Sequence, residues 1–206
     1  MIKIIPNLIP KDNTKFGIAF SGGVDSVVFS HFLKRGKKNF DLYFFNHGDD
    51  NDKIALELAR EWSKELGVQL YTNENVSPLK ASEGVWREAR YEWLESFKDT
   101  TIITGHNFED IVTGYVMFWI KGQERFIPVK RNNILRPFLL THKSDIINYA
   151  KKHNLNWNEE SYNHDTKYAR VRVSKNILPE MYEINPGFDY ILESKFKDKL
   201  RRDGYL

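Results

Sequence analysis

Short apolar runs alternate with amphipathic stretches along the first 120 residues of the chain. Each run has the length of a buried strand, and the runs cover residues 16–20, 41–45, 68–72 and 101–104. The stretches between them have apolar residues three and four positions apart, which is the spacing of one helix face. They predict helices over residues 27–33, 54–66, 82–97 and 108–120. Strands that alternate with helices in this way predict an α/β fold with a Rossmann-like parallel sheet and helices on both faces.

Two of these helices indicate which of their residues face the core. In the helix over 54–66, apolar residues recur every four positions at Ile54, Leu58 and Trp62, so this row is the predicted buried face. The helix over 82–97 has an apolar stripe formed by Trp86, Ala89, Trp93 and Phe97.

The pattern changes after Gly122. Residues 134–137 predict a short strand or extended segment, and helices are predicted over 143–153 and 173–182. The stretch over 195–202 is basic and poor in apolar residues, so it predicts a solvated tail or a frayed helix.

This change of pattern divides the chain into two parts. We predict an α/β domain over residues 1–140 and a small helical C-terminal part over 141–206 packed on it, unless the whole chain folds as one domain. With 206 residues the chain is long enough to bury a substantial core.

The absence of cysteine narrows the chemistry. It excludes disulfides, thiolate zinc sites, iron–sulfur clusters and cysteine nucleophiles. The net charge of +3 permits an anionic partner without requiring one. No stretch approaches the roughly 18 apolar residues of a membrane span, and Pro6 and Pro10 interrupt the apolar start of the chain. We therefore expect a soluble, cytoplasmic protein with no membrane partner.

The segment between the first strand and the first helix has the composition of a phosphate-binding loop. It reads Ser21-Gly22-Gly23-Val24-Asp25-Ser26. Glycines let the backbone approach a phosphate, and the amides at a helix N-terminus direct partial positive charge at the anion. The two serines add hydroxyl donors. Asp25 would repel a phosphate, so the hypothesis requires either a cation such as Mg²⁺ beside it or a helix-capping role for it.

The loop contains no lysine, so it is not of the Walker A type. It resembles the PP-loop of the ATP pyrophosphatase superfamily. This resemblance implies an adenine nucleotide alpha hydrolase-like form of the α/β fold and an enzyme that splits ATP into AMP and pyrophosphate. In that superfamily the loop holds the departing pyrophosphate while AMP is transferred to a carbonyl oxygen. A nucleophile then attacks the activated carbon.

Further motifs, in order and spacing, resemble the N-terminal catalytic domain of tRNA(Ile)-lysidine synthetase over about residues 16–188. They are Asn46-His47-Gly48, residues 82–91, residues 104–110, Gly122, Arg136-Pro137-Phe138, residues 157–163, and residues 170–173 with Leu178-Pro179. The resemblance implies a ligase that adenylates C2 of a tRNA cytidine and replaces its oxygen with an amine such as lysine. ATP and Mg²⁺ are the implied cofactors, and tRNA and the amine donor are the implied partners.

The resemblance also implies roles for individual residues. ATP binding falls to the loop residues Ser21, Gly22, Gly23, Val24, Asp25 and Ser26 and to Asn46, His47 and His106. The residues implied to bind the metal ion are Asp25 and Asp110. Catalysis falls to Asp25, His106, Asp110, Arg87 and Arg90. Contact with substrate or RNA falls to Arg136, Arg170 and Arg172.

Several of these residues can also be explained by a structural role alone, without a function in binding or catalysis. His106 fits a histidine of a surface loop, and Asp110 fits a carboxylate that interacts with a helix dipole. Arg87 and Arg90 fit a solvated helix face paired with neighbouring glutamates. The acidic run of Asp49, Asp50 and Asp52 is typical of a solvated loop, although it could attract a cationic amine.

The chain departs from the family pattern at several positions. Asp49-Asp50 replaces Leu-Arg, Thr113-Gly114 replaces Glu-Thr, and Val171 and Ser174 replace Asn and Arg. No segment resembles the family's C-terminal tRNA-binding domains. Two alternatives therefore stay open: a PP-loop ligase acting on another acceptor, and a nucleotide-binding or interaction protein with impaired catalysis. The oligomeric state, and a partner protein that supplies RNA-binding surface, stay open as well.

Overall fold

A mostly parallel sheet forms the centre of the fold. The computed structural model describes residues 1–11, 14–48, 50–73, 83–158 and 168–206, and within them six strands form one sheet of order β3-β2-β1-β4-β6-β5. The strands are β1 (Phe16–Ala19), β2 (Phe40–Phe44), β3 (Leu70–Thr72), β4 (Ile102–Thr104), β5 (Lys130–Arg131) and β6 (Ile134–Leu135). All neighbouring strands are parallel except β5 and β6, which pair antiparallel. The predicted α/β class is confirmed.

The order of the strands places a crevice beside β1. The chain runs outward from β1 through β2 to β3, and then returns to β4 on the other side of β1. Such a reversal opens a gap at the carboxyl ends of the two strands that flank it, which is where open α/β sheets bind ligands. The segment that follows β1 and the segment that follows β4 therefore both begin at this crevice.

Helices follow most of the strands. They are α1 (Val24–Arg35), α2 (Asp50–Leu66), α3 (Glu83–Ser96), α4 (Phe108–Ile120), α5 (Lys143–Lys152), α6 (Ala169–Arg172), α7 (Leu178–Ile184) and α8 (Phe188–Arg202). A 3₁₀ turn covers Pro6–Leu8, and a π-helical segment, Val173–Ile177, joins α6 to α7. The segment predicted as one helix over 173–182 is thus the π-segment and most of α7, while the helical path begins four residues earlier at Ala169.

The two faces of the sheet are covered by different helices. Phe16, Ile18, Leu42 and Phe44 belong to a buried cluster that includes residues of α1, α2 and α5. Tyr43 and Ile102 belong to a second cluster with residues of α3. Neighbouring strand residues point to opposite faces, so this division follows from the alternation along each strand.

The buried face of α2 differs from the predicted one. Ile54 is 62% exposed, whereas Ala55, Leu58, Ala59 and Trp62 are buried. At about 100° per residue, the centre of the buried face lies near Ala55 and Ala59, and Ile54 is about 100° away from it. The alanines matter because α2 passes close to Gly22, where an added Cβ would lie 3.5 Å from the Ala55 Cβ.

The predicted stripe of α3 is only part of its buried face. Trp86, Ala89, Trp93 and Phe97 are half-buried, and the fully buried residues of this helix are Tyr91 and Leu94. Tyr91 can be buried because its hydroxyl accepts a hydrogen bond from the Arg136 guanidinium at 2.9 Å.

The prediction of a solvated tail over 195–202 was wrong. These residues belong to α8, and Leu192, Phe196 and Leu200 on one side of that helix are buried. They pack in a third cluster with residues of α4 and of the first ten residues of the chain. The charged residues between them lie on the outward side, which is why the composition alone resembled a solvated segment.

The division of the chain near residue 140 stays a prediction. Ile146 and Ala150 of α5 lie in the same buried cluster as the sheet residues Ile18 and Leu42. Within the part of the chain that the structure describes, no helix is long and apolar enough to cross a membrane. Asp49 and the motif residues 159–163 lie outside the described residues.

A test of the third cluster is the substitution Phe196→Ala. Phe196 is fully buried and its ring centroid lies 5.2 Å from that of Phe126, so its removal should lower the free energy of unfolding by about 3–4 kcal/mol. The matched control is Tyr190→Ala on the same helix, which is 78% exposed and should cost about 0.5 kcal/mol or less. Urea unfolding followed by circular dichroism measures both. Equal losses would contradict the packing described for α8.

Candidate active site

The loop after β1 is held in one conformation by its own side chains. Gly22 has φ +79°, a left-handed conformation that glycine adopts without strain. The Ser21 Oγ accepts a hydrogen bond from the Gly23 amide at 3.3 Å. The Ser26 Oγ donates to the Gly23 carbonyl at 2.9 Å and accepts from the Ser21 amide at 3.2 Å. These short links fix the turn from strand to helix.

The same loop forms the N-terminus of α1. Gly23 is the N-cap residue, Val24 is the first residue of the helix and is buried, and Asp25 lies in the first turn. The Gly22 carbonyl accepts a hydrogen bond from the Asn158 amide at 2.9 Å, which ties the loop to the segment after α5. Unpaired amides and the helix dipole favour an anion at such a terminus.

A second helix terminus, that of α4, lies beside the first. Asn107 is the N-cap of α4, and its side-chain oxygen accepts a hydrogen bond from the Glu109 amide at 2.9 Å. In return the Asp110 carboxylate accepts from the Asn107 amide at 2.8 Å, which completes a capping box. The Asn107 side-chain amide donates to Asp25 Oδ1 at 3.0 Å. One asparagine therefore connects the carboxylates at the starts of α1 and α4.

The close approach of these two helices depends on Gly105. A Cβ at this position would lie 3.3 Å from the ring of Phe29 and 3.5 Å from the Asp25 Cβ. The absent side chain lets the segment after β4 run directly over the first turn of α1.

Each of the two carboxylates is paired with a cation from the C-terminal third of the chain. The Lys143 ammonium lies 2.6 Å from Asp25 Oδ2, and the Arg170 guanidinium contacts Asp110 Oδ1. Burial raises the pKa of Asp25 above its usual range, and the Lys143 ammonium only partly opposes this effect. Burial acts on Asp110 as well, but the charge of Arg170, together with the Asn107 amide and Lys143, outweighs it and holds the pKa of Asp110 below its usual range.

His106 is held beside these carboxylates as a neutral imidazole. Its Nδ1 lies 2.8 Å from the Thr104 Oγ1. Burial lowers the pKa of His106 to about 3; nearby Asp110 acts in the opposite direction, and the charge of Arg136 adds to the lowering. At neutral pH this side chain can exchange hydrogen bonds but carries no charge.

The segment after β2 forms a separate group of polar contacts. The Asn73 side chain bonds both the amide and the carbonyl of Asn46, at 2.6 and 2.9 Å. The Asp52 carboxylate accepts from the His47 amide and from the Gly48 amide, the latter at 3.1 Å. Asp52 lies in α2, so this member of the acidic run is not part of a solvated loop, contrary to one of the two readings. Aromatic rings flank His47, with the Trp86 ring centroid at 5.7 Å.

The predicted arginines are not gathered in one place. Arg136 is buried, and its guanidinium donates to the Pro128 carbonyl at 2.8 Å and to the Tyr91 hydroxyl. Arg87 is exposed on α3, 5.5 Å from the centroid of the Tyr91 ring. Arg90 lies near enough to lower the pKa of His106, and Arg172 is exposed on α6. Their assigned roles stay predictions.

The fold thus brings the loop residues 21–26, His106 and Asp110 together, and adds Arg170 to them. Asn107 and Lys143, which bond Asp25 within this group, were absent from the predicted site. Asn107 stood inside the quoted 104–110 motif, and an asparagine directly before a helix is an N-cap signal. Lys143 gave no comparable signal, because its partner Asp25 is 118 positions away in the sequence.

Asp25 and Asp110 are suited to a magnesium ion. Mg²⁺ is usually bound by one or two carboxylates together with phosphates and water, rather than by a complete protein cage. No group of three or more metal-binding side chains was found among the described residues. The pair Asp25 and Asp110, joined through Asn107 beside the N-terminus of α1, offers the oxygen donors that this mode of binding requires.

These features define an α/β domain with a candidate anion site at its strand-order reversal, and comparison with known proteins assigns its family. A model described as a PP-loop domain matches residues 2–181. The chain therefore belongs to the PP-loop domain family, whose members use ATP. The resemblance predicted from the loop and the later motifs is confirmed.

The curated relatives include several proteins of one name. The tRNA(Ile)-lysidine synthase of Persephonella marina is 29% identical over 194 residues, which cover 84% of this chain and 42% of that protein. The protein of the same name from Thermosipho africanus is 28% identical over 226 residues, which cover 94% of this chain and 52% of that protein. The chain thus spans about half the length of these relatives.

A solved structure supports the fold alone. The NMN synthetase from Francisella tularensis aligns with a TM-score of 0.50 at 15% identity, over 79% of this chain and 76% of that one.

The lowered pKa of His106 predicts acid sensitivity. The folded chain binds this proton only near pH 3, whereas the unfolded chain binds it near pH 6.5. As the pH falls below 6.5, protonation therefore favours the unfolded chain by up to about 1.4 kcal/mol per pH unit. Urea unfolding at pH 8, 7, 6 and 5 should show that His106→Gln loses about 1–2 kcal/mol less than the wild type between pH 8 and pH 5. Parallel losses in the two proteins would contradict a neutral, buried His106.

Proposed function

We propose that this chain binds ATP at residues 21–26 and cleaves it between the α- and β-phosphates. The observation that supports this proposal most is the N-terminus of α1, where a fixed glycine turn lies beside two carboxylates linked through Asn107. The backbone amide of Gly22 would bind the β- and γ-phosphates, and the Gly23 amide would exchange the Ser21 hydroxyl for them. The Ser26 hydroxyl would lie beside them. Because the dipoles of the helix terminus already point towards this anion, they need not reorganise as pyrophosphate departs.

The proposed reaction has two steps. In the first, a carbonyl oxygen of the acceptor attacks the α-phosphorus, the bond from that phosphorus to the bridging oxygen breaks, and pyrophosphate leaves. In the second, an amine nitrogen attacks the activated carbon, the carbon–oxygen bond breaks, and AMP leaves with the oxygen. The amine gives up its proton to solvent. Most of the rate enhancement would come from positioning and from neutralising the charge of the phosphates.

His106 and Asp110 face the place where these steps would occur. Because His106 is neutral, it can donate or accept a hydrogen bond at the α-phosphate or the activated carbonyl without adding charge. Asp110 stays ionised, so it can help hold a metal ion or the incoming amine. When bound, Mg²⁺ would neutralise phosphate charge, and Asp25 and Asp110 would be its protein ligands.

For the acceptor, we propose C2 of a tRNA cytidine, with lysine as the amine. The names of the two curated relatives support this choice, and so do the motifs that the chain shares with their family. Arg87 and Arg172 are exposed on α3 and α6 and could contact an RNA backbone. The target base would have to be unstacked from its loop to reach His106.

The products of the reaction test the proposal directly. The chain is incubated with ATP, Mg²⁺, isotopically labelled lysine and tRNA(Ile), and the nucleosides are then analysed by mass spectrometry. We expect AMP and pyrophosphate in equal amounts, and one cytidine per tRNA that carries the label. Turnover that requires a different acceptor would favour another PP-loop ligase. ADP and orthophosphate as products, or ATP binding without turnover for any acceptor, would contradict the proposed reaction.

Two loop variants test the assignment of the site. Asp25→Asn and Ser26→Ala should each lower ATP consumption, Asp25→Asn by about 100-fold, because Asp25 would hold the Mg²⁺ that neutralises the charge of the phosphates. Asp203→Asn is the matched control: it removes a carboxylate at the end of α8, where Asp203 is paired with Lys199. Initial rates of pyrophosphate release measure all three. Wild-type rates in both loop variants would place the chemistry elsewhere.

A further inference from the structure

Lys143 has a backbone that is held in place and a side-chain ammonium that can move. Its amide donates to the Glu109 carboxylate at 2.8 Å, which anchors the first residue of α5 against the first turn of α4. The side chain is nevertheless 40% exposed, and its long aliphatic stem lets the ammonium swing without moving the helix. The contact with Asp25 is therefore one of several positions that this ammonium can reach.

Both candidate metal ligands are in contact with a cation of the protein itself. Lys143 occupies Asp25, and Arg170 occupies Asp110. The Asp25 side chain is only 29% exposed, so a cation in contact with it stabilises its negative charge. An ammonium and a divalent cation on the same carboxylate would repel each other strongly at this distance.

We propose that Lys143 is a resident counter-ion that a divalent cation must displace from Asp25. This inference rests on the proposed function, because it takes Asp25 as a metal ligand. The displaced ammonium moves to the phosphate oxygens, because Asp25 lies in the first turn of the helix whose N-terminus forms the phosphate loop. Lys143 is in this sense a positioning residue: its ammonium pairs with Asp25 before the metal binds and with phosphate afterwards.

The exchange makes metal and phosphate binding dependent on each other. A metal ion alone must compete with Lys143 and gives its ammonium no new partner. A metal ion that arrives with a triphosphate supplies that partner, so the two ligands should bind together more tightly than either does alone. The free chain would then hold Mg²⁺ weakly, and the complete site would form only around the metal–nucleotide complex.

Removing the charge of Lys143 should therefore raise the affinity for a divalent metal ion and lower the affinity for pyrophosphate. Lys143→Gln keeps a hydrogen-bond donor but removes the ammonium. We expect it to bind Mn²⁺, used as a spectroscopic substitute for Mg²⁺, about fivefold more tightly than the wild type. We expect it to bind pyrophosphate about tenfold more weakly, at a Mg²⁺ concentration that saturates the site in both proteins, because only then is the wild-type ammonium displaced towards phosphate. A lysine that served only to stabilise the fold would not produce opposite changes.

The experiment measures free Mn²⁺ by electron paramagnetic resonance and pyrophosphate binding by isothermal titration calorimetry, on the full chain. Lys143→Arg keeps the charge and should stay within about twofold of the wild type for pyrophosphate. Lys151→Gln is the matched control, since it removes a positive charge from an exposed position on the same helix. Circular dichroism checks the folding of each variant, and Lys143→Met repeats the test if the glutamine variant does not fold.

Three outcomes would overturn the proposal. If the uncharged variants bind Mn²⁺ as the wild type does, or more weakly, Lys143 does not compete with the metal. If they bind pyrophosphate as the wild type does, the ammonium does not move to phosphate. In both cases a wild type that still binds its ligands leaves the proposed function intact. A wild type that binds neither Mn²⁺ nor pyrophosphate would overturn the proposed function and the exchange together.

Discussion

The hydrogen bond from the Asn107 side chain to the Asp25 carboxylate joins the starts of two helices that come from different parts of the sequence. It exists because β1 and β4 are neighbours in the sheet, so that the segments following both strands begin at the same crevice. Without this neighbourhood the glycine turn after β1 would be an isolated helix N-terminus. With it, the turn faces a second carboxylate, a neutral histidine and two cations within one site. The arrangement of charge at the site follows from the order of the strands.

The C-terminal third of the chain completes that arrangement. Lys143 and Arg170 reach the carboxylates of α1 and α4 from α5 and α6, and the segment after α5 bonds the Gly22 carbonyl through Asn158. The same third packs against α4 through the buried residues Phe196 and Leu200 of α8. Its helices therefore supply both packing and charge to a site whose loop lies near residue 20, and this joint role explains how distant segments act on one phosphate-binding loop.

Local patterns in the sequence predicted the local features of the fold. Helix α4 was predicted with its observed bounds because residues 108–120 are mostly apolar and Gly122 follows them. The strand-to-helix position of residues 21–26 followed from an apolar run that ends at two glycines. Helix α8 was missed although Leu192, Phe196 and Leu200 recur every four residues, because the lysines between them dominate the composition. Ile54 was assigned to the wrong face because the two alanines at the centre of that face gave little hydrophobic signal. The pairs Lys143–Asp25 and Arg170–Asp110 join positions 118 and 60 residues apart, and no periodicity in a single sequence encodes such contacts.

The central claim is that the backbone amides of the glycine turn hold the phosphates of the nucleotide. Amide resonances of a uniformly ¹⁵N-labelled chain, followed during titration with ATP and Mg²⁺, test this claim residue by residue. Amides of the glycine turn and of the first turn of α1 gain a charged acceptor on binding, so the account predicts that the largest shifts among the described residues belong to Gly22, Gly23 and Ser26. Largest shifts on α7 or α8, with these three resonances unchanged at saturation, would contradict it.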